Sequence, residues 1–445
     1  MSYRVLLFPV GGLLTVSAID GILAVISTAK SGEGNVRMII EKRIKDFEKL
    51  GFGLFVHFGV YSVLGRGEWA KKQLDIPWEE YLKTLDVFAP KEDWAEELAA
   101  TAKAAGCKYI TLTTRHHDGF SLYDTCGLNT YDAPHVCGRD LVREFVDACN
   151  RNGVIPFFYH TLLDWHEESY ENDFKAYLVY LRKSVEILCT NYGKIGGLWF
   201  DGMWDKPEDD WEEDALYGCI RRHQPDAMII NNTGLGHRGE LGHIELDSVT
   251  FERGRPQPIN MEGAPKYVAS EMCETVCDHW AYAEFDFNYK PTAELIKTFA
   301  ICRRYGSNLL LNVGPKADGS LRTMDKAILE VIGQWYAGNR EALHTAVPCA
   351  IEVEGKPHNF LLQDGDAYYL FVTDLPSRKR DNVILGGEDN DPLNTFALDK
   401  AVKSACWLDL EEPVDYVQQD GKVTVTVKPN AYGQNFVVRV AKITV

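Results

Sequence analysis

From Phe52 to Arg340 the chain alternates strand-like and helix-like segments, and this alternation restricts the fold more than any other feature of the sequence. Strands joined through helices run parallel, and a parallel sheet is covered on both faces by those helices. The strand-like runs are 52–60, 108–113, 154–159, 197–201, 227–231 and 308–313. Between them, helical spacing predicts a helix over 91–105, with Trp94 and Leu98 on one face and Gly106 as its stop. It predicts another over 139–152, where Leu141, Val142, Phe145 and Val146 share a face and Gly153 ends it, and further helices over 173–192, 211–223, 292–305 and 322–340. Residues 234–265 are rich in Gly, Pro and charge and read as a long loop. The expectation is an α/β fold, a (β/α)8-like barrel over residues 36–345. Beyond about Pro348 helical periodicity vanishes, and short β-rich runs at 368–373, 405–408, 422–427 and 435–445 predict a C-terminal β-sandwich over 346–445.

Composition narrows the class of partner. A formal net charge of -18 argues against a surface for nucleic-acid phosphates. No segment supplies the run of about 20 apolar residues that a membrane-spanning helix needs, because Asp20 interrupts residues 5–27. Eleven cysteines without a repeated spacing predict free, mostly buried thiols, which suits a reducing, cytoplasmic compartment. Against that stands the N-terminus, where Arg4, an apolar run and Val16-Ser17-Ala18 resemble a leader with its cleavage site. Residues 1–35 therefore read either as an extension before the domain or as a segment whose first 18 residues direct secretion or periplasmic export.

The ends of the predicted strands carry polar groups one after another: His57, then His116-His117-Asp118, then Tyr159, Asp201 and Asn231-Asn232. In a parallel barrel these ends ring one pocket, the face where barrel enzymes do chemistry. Core packing accounts for one polar strand end but not for five in a row. Trp69, Trp165, Trp199 and Trp204 fall near the same ends, and indoles among neutral donors and a few carboxylates suit a sugar, which has an apolar face and hydroxyls. Gly197-Leu198-Trp199-Phe200-Asp201-Gly202 is the pivotal stretch, a buried strand ending in one acid.

Two chemistries fit such a pocket. Strand-end histidines with an Asp could bind zinc in a metal-dependent hydrolase, although neighbours such as His116 and His117 point to opposite faces of an extended strand. A retaining glycosidase instead needs two carboxyl groups about 5 Å apart, one nucleophile and one proton donor. Asp201 is the candidate for the first, and Glu252, Glu271 and Glu68 are candidates for the second. A carboxyl that must hold its proton at neutral pH wants a partly desolvated place near another carboxylate.

The stretches GFGLFVHFGVYSVLGRGEW (51–69), KYITLTTRHHDGFSLYD (108–124), FFYHTLLDW (157–165), GLWFDG (197–202), RRHQPDAMIINN (221–232) and SNLLLNVGPKADG (307–319) resemble, in order, the signatures of the α-L-fucosidases of glycoside hydrolase family 29. The resemblance implies a retaining, exo-acting α-L-fucosidase working through a covalent fucosyl-enzyme on fucosylated glycans or glycoconjugates, with no metal or other cofactor. It implies Asp201 as nucleophile, with His57, Glu68, Trp69, His116, His117, Tyr159 and Trp199 binding fucose. For the acid/base it implies Glu252, within Thr250-Phe251-Glu252-Arg253, with Glu271 as runner-up. The sequence departs from the family pattern at Asn231-Asn232-Thr233, which lacks a common Arg that Arg238 or Arg253 would replace, and at Ser270, where Trp is usual. The alternatives to a fucosidase are the metal-dependent hydrolase and a catalytically dead fucose-binding protein. The sandwich is expected to be structural, its only aromatic pair with a claim to bind glycans being Tyr368 and Tyr369.

Overall fold

The structure is a computed structural model that describes residues 38–233, 239–376 and 390–445, together with the backbone of a short antiparallel hairpin, β1 (Thr15–Ile19) and β2 (Ile22–Ile26). The start of the candidate leader and Arg238 lie outside the described residues. Eight parallel strands close into a barrel: β3 (Phe52–Val56), β4 (Tyr109–Arg115), β5 (Ile155–Thr161), β6 (Gly197–Asp201), β7 (Met228–Asn232), β8 (Ser248–Glu252), β9 (Ala269–Thr275) and β10 (Asn308–Val313), with β10 pairing back onto β3. The expected fold class is the one observed. Two of its strands, β8 and β9, were not anticipated: β8 falls within the stretch read as a loop, and β9 just beyond it.

Helices form where the spacing placed them. Trp94–Ala105 and Leu141–Asn152 bury the predicted faces, and each stops at a glycine in the left-handed region, Gly106 at φ 95° and Gly153 at φ 69°. There the backbone turn that frees the last carbonyls has no Cβ to strain. Outward-facing strand residues such as Leu198 and Phe200 join the helices in one large core. The inward-facing residues make a second core inside the barrel, where Phe55, Tyr109, Phe157, Tyr159, Trp199, Met228, Ile230 and Leu310 pack in layers. Gly53 leaves the room that the Tyr109 ring occupies, since a Cβ there would lie 2.4 Å from it. The helix Lys42–Glu48 closes the bottom, its Phe47 ring 5.5 Å from Tyr109 and 5.8 Å from Phe157. The other end stays open.

The helix Thr323–His344 leads into eight antiparallel strands: β11 (Val347–Glu352), β12 (Phe360–Asp364), β13 (Ala367–Val372), β14 (Leu393–Ala397), β15 (Ser404–Trp407), β16 (Asp415–Gln419), β17 (Lys422–Thr426) and β18 (Arg439–Thr444). They form a five-stranded sheet in the order β11-β12-β13-β18-β15 and a three-stranded sheet β14-β17-β16, with Leu370, Phe396, Val423, Val425 and Ile443 in the core between them. Tyr368 and Tyr369 are buried in these strands, so they are not the exposed pair the sequence suggested. All eleven cysteines are free thiols, seven of them buried. No helix among the described residues is long and apolar enough to cross a membrane.

Candidate active site

The barrel's open end holds a cavity of about 400 Å³, walled by His57, Glu68, Trp69, His116, His117, Tyr159, Trp199, Asp201 and Glu252. Of the residues expected to act on or bind the sugar, Glu271 alone is absent from its lining; Asp118, Trp165, Asn231 and Arg253, also singled out in the sequence, lie outside it. Phe55, Trp204, Asn232, Cys273 and Trp280 complete the wall.

Asp201 reaches the cavity through the two-residue period of β6, which turns Gly197, Trp199 and Asp201 inward. Its Oδ1 accepts from Trp204 Nε1 at 3.1 Å and Asn232 Nδ2 at 3.3 Å, and its Oδ2 from the Tyr159 hydroxyl at 3.2 Å. Burial, and then the charge of Glu252, raise this carboxyl to about 6. The same period on β8 brings Glu252 to the cavity. Asn232 Nδ2 donates to Glu252 Oε2 at 2.7 Å as well as to Asp201, while Thr250 Oγ1 donates to Asn232 Oδ1 at 3.3 Å and so fixes which way the amide points. One nitrogen reaching both acids holds their nearest oxygens within about 6 Å of each other, which matches the close carboxyl pair of retaining glycosidases rather than the wider gap of inverting ones.

The histidines are neutral hydrogen-bond groups. Asn312 Nδ2 donates to the Trp280 carbonyl at 2.6 Å, so Asn312 Oδ1 faces His57 Nδ1, 2.6 Å away, and accepts its proton. Likewise the Thr161 hydroxyl donates to the Leu163 carbonyl at 2.7 Å and accepts from His117 Nδ1 at 2.7 Å. Each ring thereby keeps Nε2 as an acceptor. Burial depresses both to about 3, and burial together with the other two rings holds His116 well below its usual value. His116 and His117 both line the cavity, contrary to the opposite-faces reading, because β4 ends at Arg115 and the pair sits in the turn beyond it. Their ring centroids are 4.2 Å apart. Among the described residues, the only three metal-ligating side chains with converging donor atoms are Glu186, Cys219 and His223, outside this cavity.

Glu68 accepts from the Ala281 backbone N–H at 2.9 Å through one oxygen, and burial raises its pKa. The Trp69 ring stacks on Trp204 at 5.9 Å and meets Trp165 edge-on at 5.0 Å. Glu271 lies deeper, two residues before Cys273 on β9 and 1 % exposed. It accepts from Trp199 Nε1 at 2.9 Å and from the Tyr109 hydroxyl, and burial raises it to about 7. Because Trp199 spends its N–H on Glu271, it offers the cavity a ring face, stacked on Tyr159 at 5.6 Å, and no donor. Arg253 is outside the lining: its guanidinium lies over the Trp280 ring at 5.0 Å and donates to the Asp278 carbonyl and to Thr275 Oγ1. Phe55, two before His57, carried a legible signal in that spacing. Trp280 carried none, since the segment after β9 has no period.

A family model described as alpha-L-fucosidase matches residues 31–341. The chain belongs to the α-L-fucosidase family. Tissue α-L-fucosidase of Bos taurus is 28% identical over 375 residues, 74% of this chain and 75% of the relative, and the Mus musculus enzyme is 29% identical over 350, 69% and 73%. Among solved structures, α-L-fucosidase isoenzyme 1 from Paenibacillus thiaminolyticus superposes with a TM-score of 0.74 at 28% identity, covering 91% of this chain and 98% of its own. A Bacteroides thetaiotaomicron GH29 α-L-fucosidase, trapped as a covalent intermediate with 2-fluoro-fucosyl fluoride, shares the fold at a TM-score of 0.75 and 22% identity, covering 94% and 98%. Family membership makes this a glycoside hydrolase and makes the closed-bottomed cavity the place to seek its chemistry.

Proposed function

We propose that the chain removes terminal α-L-fucose from glycans or glycoconjugates with retention of configuration, using Asp201 as nucleophile and Glu252 as acid/base. The observation that carries this reading is the shared amide of Asn232, which holds the two carboxylates as a close pair over the cavity. Asp201 attacks the anomeric carbon as the bond to the glycosidic oxygen breaks, and Glu252 delivers its proton to that oxygen. Glu252, now a carboxylate, takes a proton from water; the water oxygen bonds to the anomeric carbon, and the ester to Asp201 breaks. Tyr159, Trp204 and Asn232 hold the Asp201 oxygens in place through both steps.

A cavity of this size suits one sugar ring, and a floor closed by Trp199 and Phe55 supports action at chain ends. The Nε2 acceptors of His57 and His117 and the unpaired oxygen of Glu68 take hydroxyl protons, while Phe55, Trp199 and Trp280 offer ring faces to a 6-deoxy sugar's methyl group. The covalent intermediate captured in the Bacteroides relative supports the same route here. Proton NMR during hydrolysis of an aryl α-L-fucoside tests it: α-L-fucose should appear first and equilibrate later, whereas β-L-fucose as first product would mean inversion.

A further inference from the structure

The two helices that flank β6 in sequence, Phe174–Asn191 before it and Glu213–His223 after it, pack side by side on the outside of the barrel. Cys219 and His223 are four apart and share one face of the second helix. Glu186 meets them from the first, its Oε1 3.2 Å from His223 Nε2, and the donor atoms of all three lie within 4.8 Å of one another. We propose that Glu186, Cys219 and His223 bind one divalent metal ion of the zinc class, as a staple between these helices and apart from the sugar cavity.

Thiolate, imidazole and carboxylate are the donor types zinc prefers. Bonds of about 2.0–2.3 Å in a tetrahedron bring such donors to roughly 3.3–3.8 Å of one another, so only a small contraction separates the present arrangement from coordination. The frame that holds the ligands is already tied. Gln224, at the end of the second helix, donates through Nε2 to the Cys189 and Gly193 carbonyls, both at 2.7 Å, and so joins the C-terminal ends of the two helices. Those ends carry partial negative charge, which favours a cation. Cys219 is a free, buried thiol that faces the neighbouring helix. Binding would release the thiol proton to solvent. A water would complete four-coordination.

The test uses the full-length protein, chelator-treated and kept reduced with a phosphine. Cobalt chloride should bind at one equivalent with an intense thiolate-to-metal charge-transfer band, and zinc chloride should bleach it stoichiometrically and raise Tm by at least about 2 °C. Cys219→Ser should abolish the band and His223→Ala should weaken cobalt binding at least tenfold. Cys126→Ser, at the exposed thiol, should change neither. All three variants should hydrolyse an aryl fucoside like the parent, which certifies their fold. No band in the parent, an undiminished band in Cys219→Ser, or loss of the band in Cys126→Ser would overturn the assignment.

Discussion

The two carboxylates proposed for catalysis come from unlike arcs of the barrel. From β3 to β7, helices pack behind the strands, and β6 arrives between two helices of 18 and 11 residues. Between β8 and β9 there is no helix: residues 253–268 run from one strand to the next as irregular chain. Asp201 stands on the first arc and Glu252 on the second. A nucleophile must meet one carbon along one line, so its strand is braced from both sides. A proton donor must follow leaving groups of varied shape, and irregular chain beside it can change without disturbing the braced half.

That contrast sets the order of expected effects. Asp201→Asn should lower kcat/KM on the order of 10⁴-fold for aryl fucosides and glycans alike, because every substrate needs the nucleophile; residual turnover above a few per cent would move the nucleophile off the braced arc. Glu252→Ala should cost about 10²- to 10³-fold on glycans and far less on a dinitrophenyl fucoside, whose leaving group needs no proton, with azide restoring turnover as a fucosyl azide. Glu271→Ala should not respond to azide. It should cost about tenfold with both substrate types, by freeing Trp199, and about 1–3 kcal/mol of stability, by leaving the Tyr109 hydroxyl and Trp199 N–H unpaired. Azide rescue at Glu271 instead would put the acid/base one strand further on.

The smallest effect is on pH. The acid limb of kcat/KM should fall near 6, where Asp201 takes up a proton and ceases to be a nucleophile. Since the Glu252 charge is one cause of that raised value, Glu252→Gln should shift the limb to lower pH; a limb that stays or rises would uncouple the two acids. Stability has the opposite sign. A carboxyl raised from 3.8 to about 6 binds its proton more tightly in the folded state, so its contribution is present below 3.8 and is lost as pH climbs through 6.

The sequence could be read where inward and outward positions tell the same story. Gly197–Asp201 has Leu198 and Phe200 outward and Trp199 inward, all apolar, so the strand and its terminal acid are plain. β8, with Ser248, Thr250 and Glu252 inward, and β9, with Glu271 and Thr275, put polar chemistry where apolar runs were sought, and they have no helix between them to supply a period. The acids that the site needs are what hid the strands carrying them. Arg115 had a similar effect. The expected strand stops at Thr113, but β4 runs on to Arg115, whose guanidinium is buried against Asp164, at 2.5 Å, and Ser184, at 3.2 Å. His116 and His117 sit in the turn just beyond that end, and both face the cavity wall. In the sandwich, β16 is short and largely exposed, and β14 buries only Asn394 and Phe396, one of them polar, so neither has enough apolar pattern to register.

Covalent capture examines the central proposition without intermediaries. After incubation with 2-fluoro-fucosyl fluoride, the protein should gain the mass of one 2-fluoro-fucosyl group, and peptide mapping should find it on Asp201. A label on Glu252, Glu271 or any other residue, or full turnover with no labelled protein at any time, would contradict the account.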